Sequence, residues 1–171
     1  MSEINTIDLL GDDVAVAKLI DKSIETFVDD TITSIGSYAF LDCSQLTSAS
    51  FPVATSIDSS AFNNCSQLTS ASFPVATSIG SYAFNSCSQL TSASFPVATS
   101  IDSNAFQRCS QLNSVILGNT SQVVTLKSTN AFSGASNAII YVPDELVDSY
   151  KAATNWSTYA SRIKGLSELP A

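Results

Sequence analysis

The sequence predicts a repeat solenoid, and three observations predict it. The string LTSASFPVATSI occurs three times without a change, starting at Leu46, Leu68 and Leu90, with a period of 22 residues. Degenerate copies carry the pattern on in both directions. The apolar letters recur at fixed places in every copy, but no copy holds enough of them to bury a core alone, so coils must stack on one another. At 171 residues the chain has room for one domain with a sizeable interior.

The elements follow from residue type along one unit, L-T-S-A-S-F-P-V-A-T-S-I-x-S-x-A-F-x-x-C-S-Q. Leu46, Ala49, Phe51, Ala54, Ile57, Ala61, Phe62 and Cys65 are the inward positions, followed one period on by Leu68, Ala71, Phe73, Ala76, Ile79, Ala83, Phe84 and Cys87. Leu46 to Phe51 alternates and reads as a short strand with Ser48 and Ser50 outward. Pro52 lacks an amide proton and ends it. Ser59 to Cys65 is too short for a stable helix and reads as a turn or 3₁₀ segment on the other face. Neighbouring coils would share one short parallel sheet with ~4.8 Å between strands.

Residues 24–143 are read as about five coils plus a last strand. Ile24 to Ile35 matches the unit in length and leads into Ala39, Phe40 and Cys43. Downstream, Leu112, Val115 and Leu117 open a coil that reaches Ala131 and Phe132 four residues late, which places an insertion between Asn119 and Lys127. Ala135 takes the place of the repeat cysteine, and Ile140 and Val142 point inward from the last strand. Residues 144–171 read as a C-terminal helical cap, with Leu146, Tyr150 and Ala153 on one face and Trp156, Tyr159 and Ile163 after it. Residues 1–23 read as an N-terminal cap, with a short helix begun by Asp12 or Asp13. GSYAF at Gly36 and Gly80 alternates with DSSAF at Asp58 and DSNAF at Asp102, so the duplicated unit is two coils, 24–67 copied as 68–111.

These units resemble the BspA-like leucine-rich repeats of bacterial and protist surface proteins. The L-x-x-x-x-F-P strand, the isoleucine, the Ala-Phe pair and the following cysteine carry the likeness, and IYVPDELVDSYKAATNWSTYASRIK resembles the family's closing segment. The resemblance implies a leucine-rich-repeat solenoid and a role in adhesion to host proteins and cell surfaces. Short versions are similar to proteins of prophages and tail gene clusters. The expected function is therefore a non-enzymatic recognition or structural module, tail-associated and binding a host surface or a neighbouring virion protein. The alternatives are a bacterial surface adhesin and, third, a glycan-acting enzyme.

Charge narrows the partners. Lys and Arg total 7 against 15 Asp and Glu, a net charge of −8, which disfavours nucleic acid and anionic membranes. The expected partner is a protein or a surface glycan, and the chain is compatible with a homo-oligomer. MSEINTIDLLGDD has no basic start and no long apolar run, so no signal peptide and no membrane span is expected. Localisation would be on a virion if the source is a phage, and otherwise in the bacterial cytoplasm or at the surface by another route.

Catalytic, cofactor and metal sites are not expected. The chain contains no histidine, which removes Ser-His-Asp and Cys-His catalysis and histidine-based metal sites. Cys43, Cys65, Cys87 and Cys109 fall at one repeat position; parallel Cβ vectors disfavour disulfides, and a ladder of buried thiols is expected. Asp58 and Asp102 lie in one column two coils apart, or ~10 Å, and are read as solvated surface acids. Serine columns through Ser48 and Ser50 face outward from the sheet. They give way to Ile116, Ile139 and Tyr141, an outward aromatic and apolar patch expected to bind a partner. The column Tyr38, Ser60, Tyr82, Asn104 varies while its neighbours do not, which makes Tyr38 and Tyr82 the second candidate contact.

Overall fold

Each coil of the computed structural model, which describes residues 21–170, has three sides. The first is a three-residue strand: β1 (Thr26–Val28), β3 (Ser48–Ser50), β5 (Ser70–Ser72), β7 (Ser92–Ser94) and β9 (Ser114–Ile116). The second is a two-residue strand: β2 (Ser34–Ile35), β4 (Ser56–Ile57), β6 (Ser78–Ile79), β8 (Ser100–Ile101) and β10 (Thr125–Leu126). The third is a run of turns. β11 (Ile139–Val142) and β12 (Ile163–Gly165) complete a seven-stranded parallel sheet in the order β1-β3-β5-β7-β9-β11-β12. A five-stranded sheet runs β10-β8-β6-β4-β2.

The second sheet corrects the expectation of a single one. After Pro52 the chain turns and extends again, and the repeated threonine holds it there. Thr55 donates both its backbone N–H (2.8 Å) and its hydroxyl (3.2 Å) to Thr33 O, and Thr77 and Thr99 repeat the pairing one and two coils on. Thr47, Thr69 and Thr91 do the same beside the first sheet. These hydroxyls satisfy carbonyls at the sheet margins.

The third side is built of turns and not of 3₁₀ helix. Alternate amides bond locally, as Ala61 N–H to Asp58 O (3.3 Å) and Asn63 N–H to Ser60 O (3.2 Å). The amides between them reach the next coil, as Ser60 N–H to Ser81 O (2.8 Å), Phe62 N–H to Ala83 O (2.7 Å) and Asn64 N–H to Asn85 O (2.9 Å). Turning every second amide along the solenoid axis requires left-handed backbone. Positive φ recurs in two columns: Tyr38, Ser60, Tyr82 and Asn104, and Asp42, Asn64, Ser86, Arg108 and Gly134.

The inward positions hold as read, except that Ala71 is half-buried. Two interleaved phenylalanine columns fill the interior. Phe84 stacks on Phe62 and on Phe106 with 5.3 Å between ring centroids in each case, and meets Phe73 at 5.9 Å. Thr125 pairs with Ser100 and Ile139 with Ser114, so most of the inserted residues are taken up between Ile116 and Thr125.

The C-terminal cap is less helical than expected. α1 spans Val147–Ala152 only, because Ala153 turns extended (ψ 152) and Asn155 is left-handed (φ 65). A 3₁₀ segment, Trp156–Arg162, leads into β12, which pairs with β11. The side chains of the cap supply what a further coil's backbone would. Val124 N–H donates to the Tyr150 hydroxyl (3.0 Å), and Trp156 Nε1 donates to Val124 O (2.6 Å). Asn155 Nδ2 donates to Leu126 O (2.7 Å), and Arg162 Nη1 to Ala135 O (2.6 Å). The helix expected near Asp12 and Asp13 lies outside the described residues.

Candidate functional site on the turn side

The exposed aromatic rings of the repeats stand on the turn side. Tyr38 is 52% exposed and Tyr82 is 43% exposed, with φ of 63 and 57 respectively. Left-handed backbone suits Gly, Asn and Asp, and a bulky side chain there is strained. The same place holds Ser60 and Asn104 in the alternate coils. Inter-coil bonds enforce the conformation: Tyr38 N–H donates to Ser59 O at 3.1 Å and Tyr82 N–H to Ser103 O at 3.0 Å. Ser60 is buried between the two tyrosine-bearing coils.

Beside this column lies an open depression of about 310 Å³, lined by Ile57, Asp58, Ser59, Gly80, Asp102 and Lys127 among others. Gly80 lets the two coils approach closely here. A Cβ there would stand 2.7 Å from the Asp58 carbonyl carbon, so no larger residue fits without moving the coil. Asp58 and Asp102 flank it from the coils before and after. Partial burial pushes the Asp102 carboxyl up, but the Ser103 N–H and the Lys127 ammonium outweigh it and hold the group below its ordinary value. Lys127 Nζ lies 3.3 Å from Asp102 Oδ2. Among the described residues no group of three or more acidic, cysteine or histidine side chains is placed to hold a metal ion.

The four cysteines are free and buried. Each of the last three donates its thiol to a phenylalanine carbonyl: Cys65 to Phe40 O, Cys87 to Phe62 O and Cys109 to Phe84 O, at 3.1, 3.1 and 3.0 Å. Burial pushes all four thiols up, Cys109 to about 12. They are protonated packing groups and poor nucleophiles.

The C-terminal patch needs a correction. Tyr141 lies in the outward column, opposite Ile116, yet it is only 6% exposed. β12 flanks it on the far side, with Lys164 opposite, and the turn Leu166–Glu168 folds back against β11. Ile116 and Ile139 are half-buried. The patch therefore offers no exposed aromatic anchor, and the structure does not bring these three residues to Tyr38 or Tyr82.

A family profile for the BspA type leucine rich repeat region matches residues 21–139 in six copies. The chain belongs to the BspA-type leucine-rich repeat family. Two solved structures share the fold of this BspA-type chain. A leucine-rich repeat protein from Bacteroides ovatus superposes with a TM-score of 0.67 at 22% identity. A leucine rich cell surface protein from Faecalibacterium prausnitzii superposes with a TM-score of 0.60 at 24% identity. Each match covers 84% of this chain but 36% of the other, so the chain spans about a third of those proteins. No curated protein shows significant sequence similarity to it.

Within the BspA-type unit, the sequence pointed to the variable column but not to its left-handed backbone. The signal was present: Ser and Asn alternate with Tyr in the first column between unchanging Ser and Ala neighbours, and Asp, Asn, Ser and Gly fill four of the five places in the second.

Proposed function

We propose that this chain is a non-enzymatic recognition module, displayed at a bacterial or virion surface, whose contact is the turn-side column of Tyr38 and Tyr82. The observation that carries this is strain without a packing reward. Two tyrosines occupy exposed positions that Asn or Gly would fill at lower energy, at a cost of about 1–3 kcal/mol each. Exposed tyrosine offers area and a hydroxyl to a partner. Stacked repeats of this kind serve elsewhere as extended binding surfaces. The Faecalibacterium neighbour is described as a cell surface protein, which favours display at a surface. A tail-associated component meeting a host envelope or a neighbouring virion protein falls within the same proposal. A general-acid role for Asp102 is disfavoured, because a general acid needs a raised and not a lowered pKa.

The test is binding of fluorescently labelled protein to a panel of intact bacterial and epithelial cells, read by flow cytometry. The double variant Tyr38→Asn/Tyr82→Asn should weaken binding by about tenfold or more, while melting at or above the wild-type temperature because Asn tolerates left-handed backbone. Val97→Ser, at an exposed valine away from the column, should bind as wild type. Undiminished binding by the double variant would remove the turn side from consideration.

A further inference from the structure

The duplicated unit is two coils long, and the turn side shows what the second coil of each pair adds. Tyr38 follows Gly36 and Tyr82 follows Gly80, whereas Ser60 follows Asp58 and Asn104 follows Asp102. A ring therefore comes with a glycine, and a carboxylate comes with a small polar residue. Along the axis the order is Tyr38, Asp58, Tyr82, Asp102, one per coil, so ring and acceptor alternate with a period of two coils, about 10 Å. Ser59, whose carbonyl receives the Tyr38 amide, lines the Gly80 depression, so column and depression adjoin.

We infer that this strip binds an extended, neutral, β-1,4-linked polysaccharide lying along the solenoid axis; the inference rests on the recognition role proposed above. Such a chain rotates by half a turn at each sugar and repeats after two rings, about the two-coil spacing. Its pyranose rings present flat C–H faces that stack on phenols, and hydroxyls at their edges that donate to carboxylates. The strip has that chemistry. Its exposed tyrosines stand two coils apart, with Ser37, Ser59 and Asp58 lining the adjoining depression, unlike the contiguous apolar area that forms the core of a protein interface. A polyanionic glycan is disfavoured, since Asp58 and Asp102 flank the depression and the net charge is −8. Lys127, paired with Asp102, stands at the downstream end.

The test is affinity electrophoresis of the full chain in native gels containing hydroxyethylcellulose, xylan or glycol chitin, with polygalacturonate as the polyanion. At least one neutral polymer should retard the wild type. Tyr38→Asn/Tyr82→Asn should abolish the retardation, Asp58→Ala should weaken it several-fold, and Val97→Ser should leave it unchanged. Circular dichroism melts confirm that each variant is folded. Retardation by none of the three neutral polymers, by polygalacturonate alone, or equally in the double tyrosine variant overturns the inference. If glycan binding fails while the tyrosine variant still loses cell binding, recognition stands and the partner is a protein. If cell binding is also unaffected, both fall.

Discussion

Asn85 carries an acceptor that the fold leaves without a donor. Its Nδ2 donates to Asn63 Oδ1 at 2.8 Å, one coil back, while its own Oδ1 is buried and unpartnered among the described residues. The residue one coil on is Gln107, one methylene longer than Asn, and no hydrogen bond from it reaches that oxygen. Gln107→Asn should restore the step, because the backbones repeat: Ser86 N–H meets Gln107 O at 2.8 Å as Asn64 N–H meets Asn85 O at 2.9 Å. Satisfying a buried acceptor is worth about 1–3 kcal/mol, and losing one partly buried methylene returns up to ~0.8 kcal/mol. The net gain is about 1 kcal/mol, or a rise of about 2–4 °C in Tm for a chain of this size. Thermal and urea melts followed by circular dichroism read it directly, with Gln107→Ala as the control that removes the amide. A Gln107→Asn variant no more stable than wild type, or no more stable than the alanine control, would refute the idea of an interrupted amide ladder.

Three further outcomes are expected. Phe84→Ala should cost about 3–5 kcal/mol and exceed Phe40→Ala by about 0.5–1.5 kcal/mol, because Phe84 meets four rings and Phe40 meets three; equal losses in urea melts would argue against it. Denatured protein should show four reactive thiols and native protein few at pH 8. Because burial raises the folded thiol pKa values, their contribution is full below about pH 8.5. It is then lost as pH rises toward the folded values, so urea midpoints should fall steeply between pH 8.5 and 10, and a flat profile would contradict buried neutral thiols. Removing residues 144–171 strips β12 from β11 and the cap's donors from β10, so the shortened chain should aggregate; a soluble truncation with an unchanged melt would show that the cap is dispensable.

The coil interior was legible because burial leaves its mark in residue type: Leu, Ala, Phe, Ile and Cys at fixed places can only stack inward. The second sheet was not, since Ser56–Ile57 is two residues long and is held by threonine hydroxyls whose bonds to carbonyls one coil back leave no mark in residue type. The exposure of Tyr141 was misjudged for a related reason. Its direction follows from strand alternation, but its cover comes from β12, and Ile-Lys-Gly has no strand signature apart from its partner. At the candidate site, residue variation located the column, while backbone sign and the close approach at Gly80 arise only when one coil rests on another. The cap's side-chain bonds to Val124 and Leu126 were equally invisible, because they join parts of the chain about thirty residues apart.

The hydroxyl and amide ladders that join the regular coils, from Thr47 to Ser110, share one interval, 22 residues. Within that stretch the threonine joints repeat from coil to coil, and the asparagine contacts differ between coils. Removing or splicing in a block of two coils would bring the cut ends back to equivalent backbone and threonine partners. Each such block changes the molecule's reach by about 10 Å while the terminal lid stays solved once for all lengths. The nearly identical stretches that encode these coils also invite unequal exchange, so the architecture works as an adjustable ruler, on which reach can be tuned in fixed increments while the threonine joints stay the same.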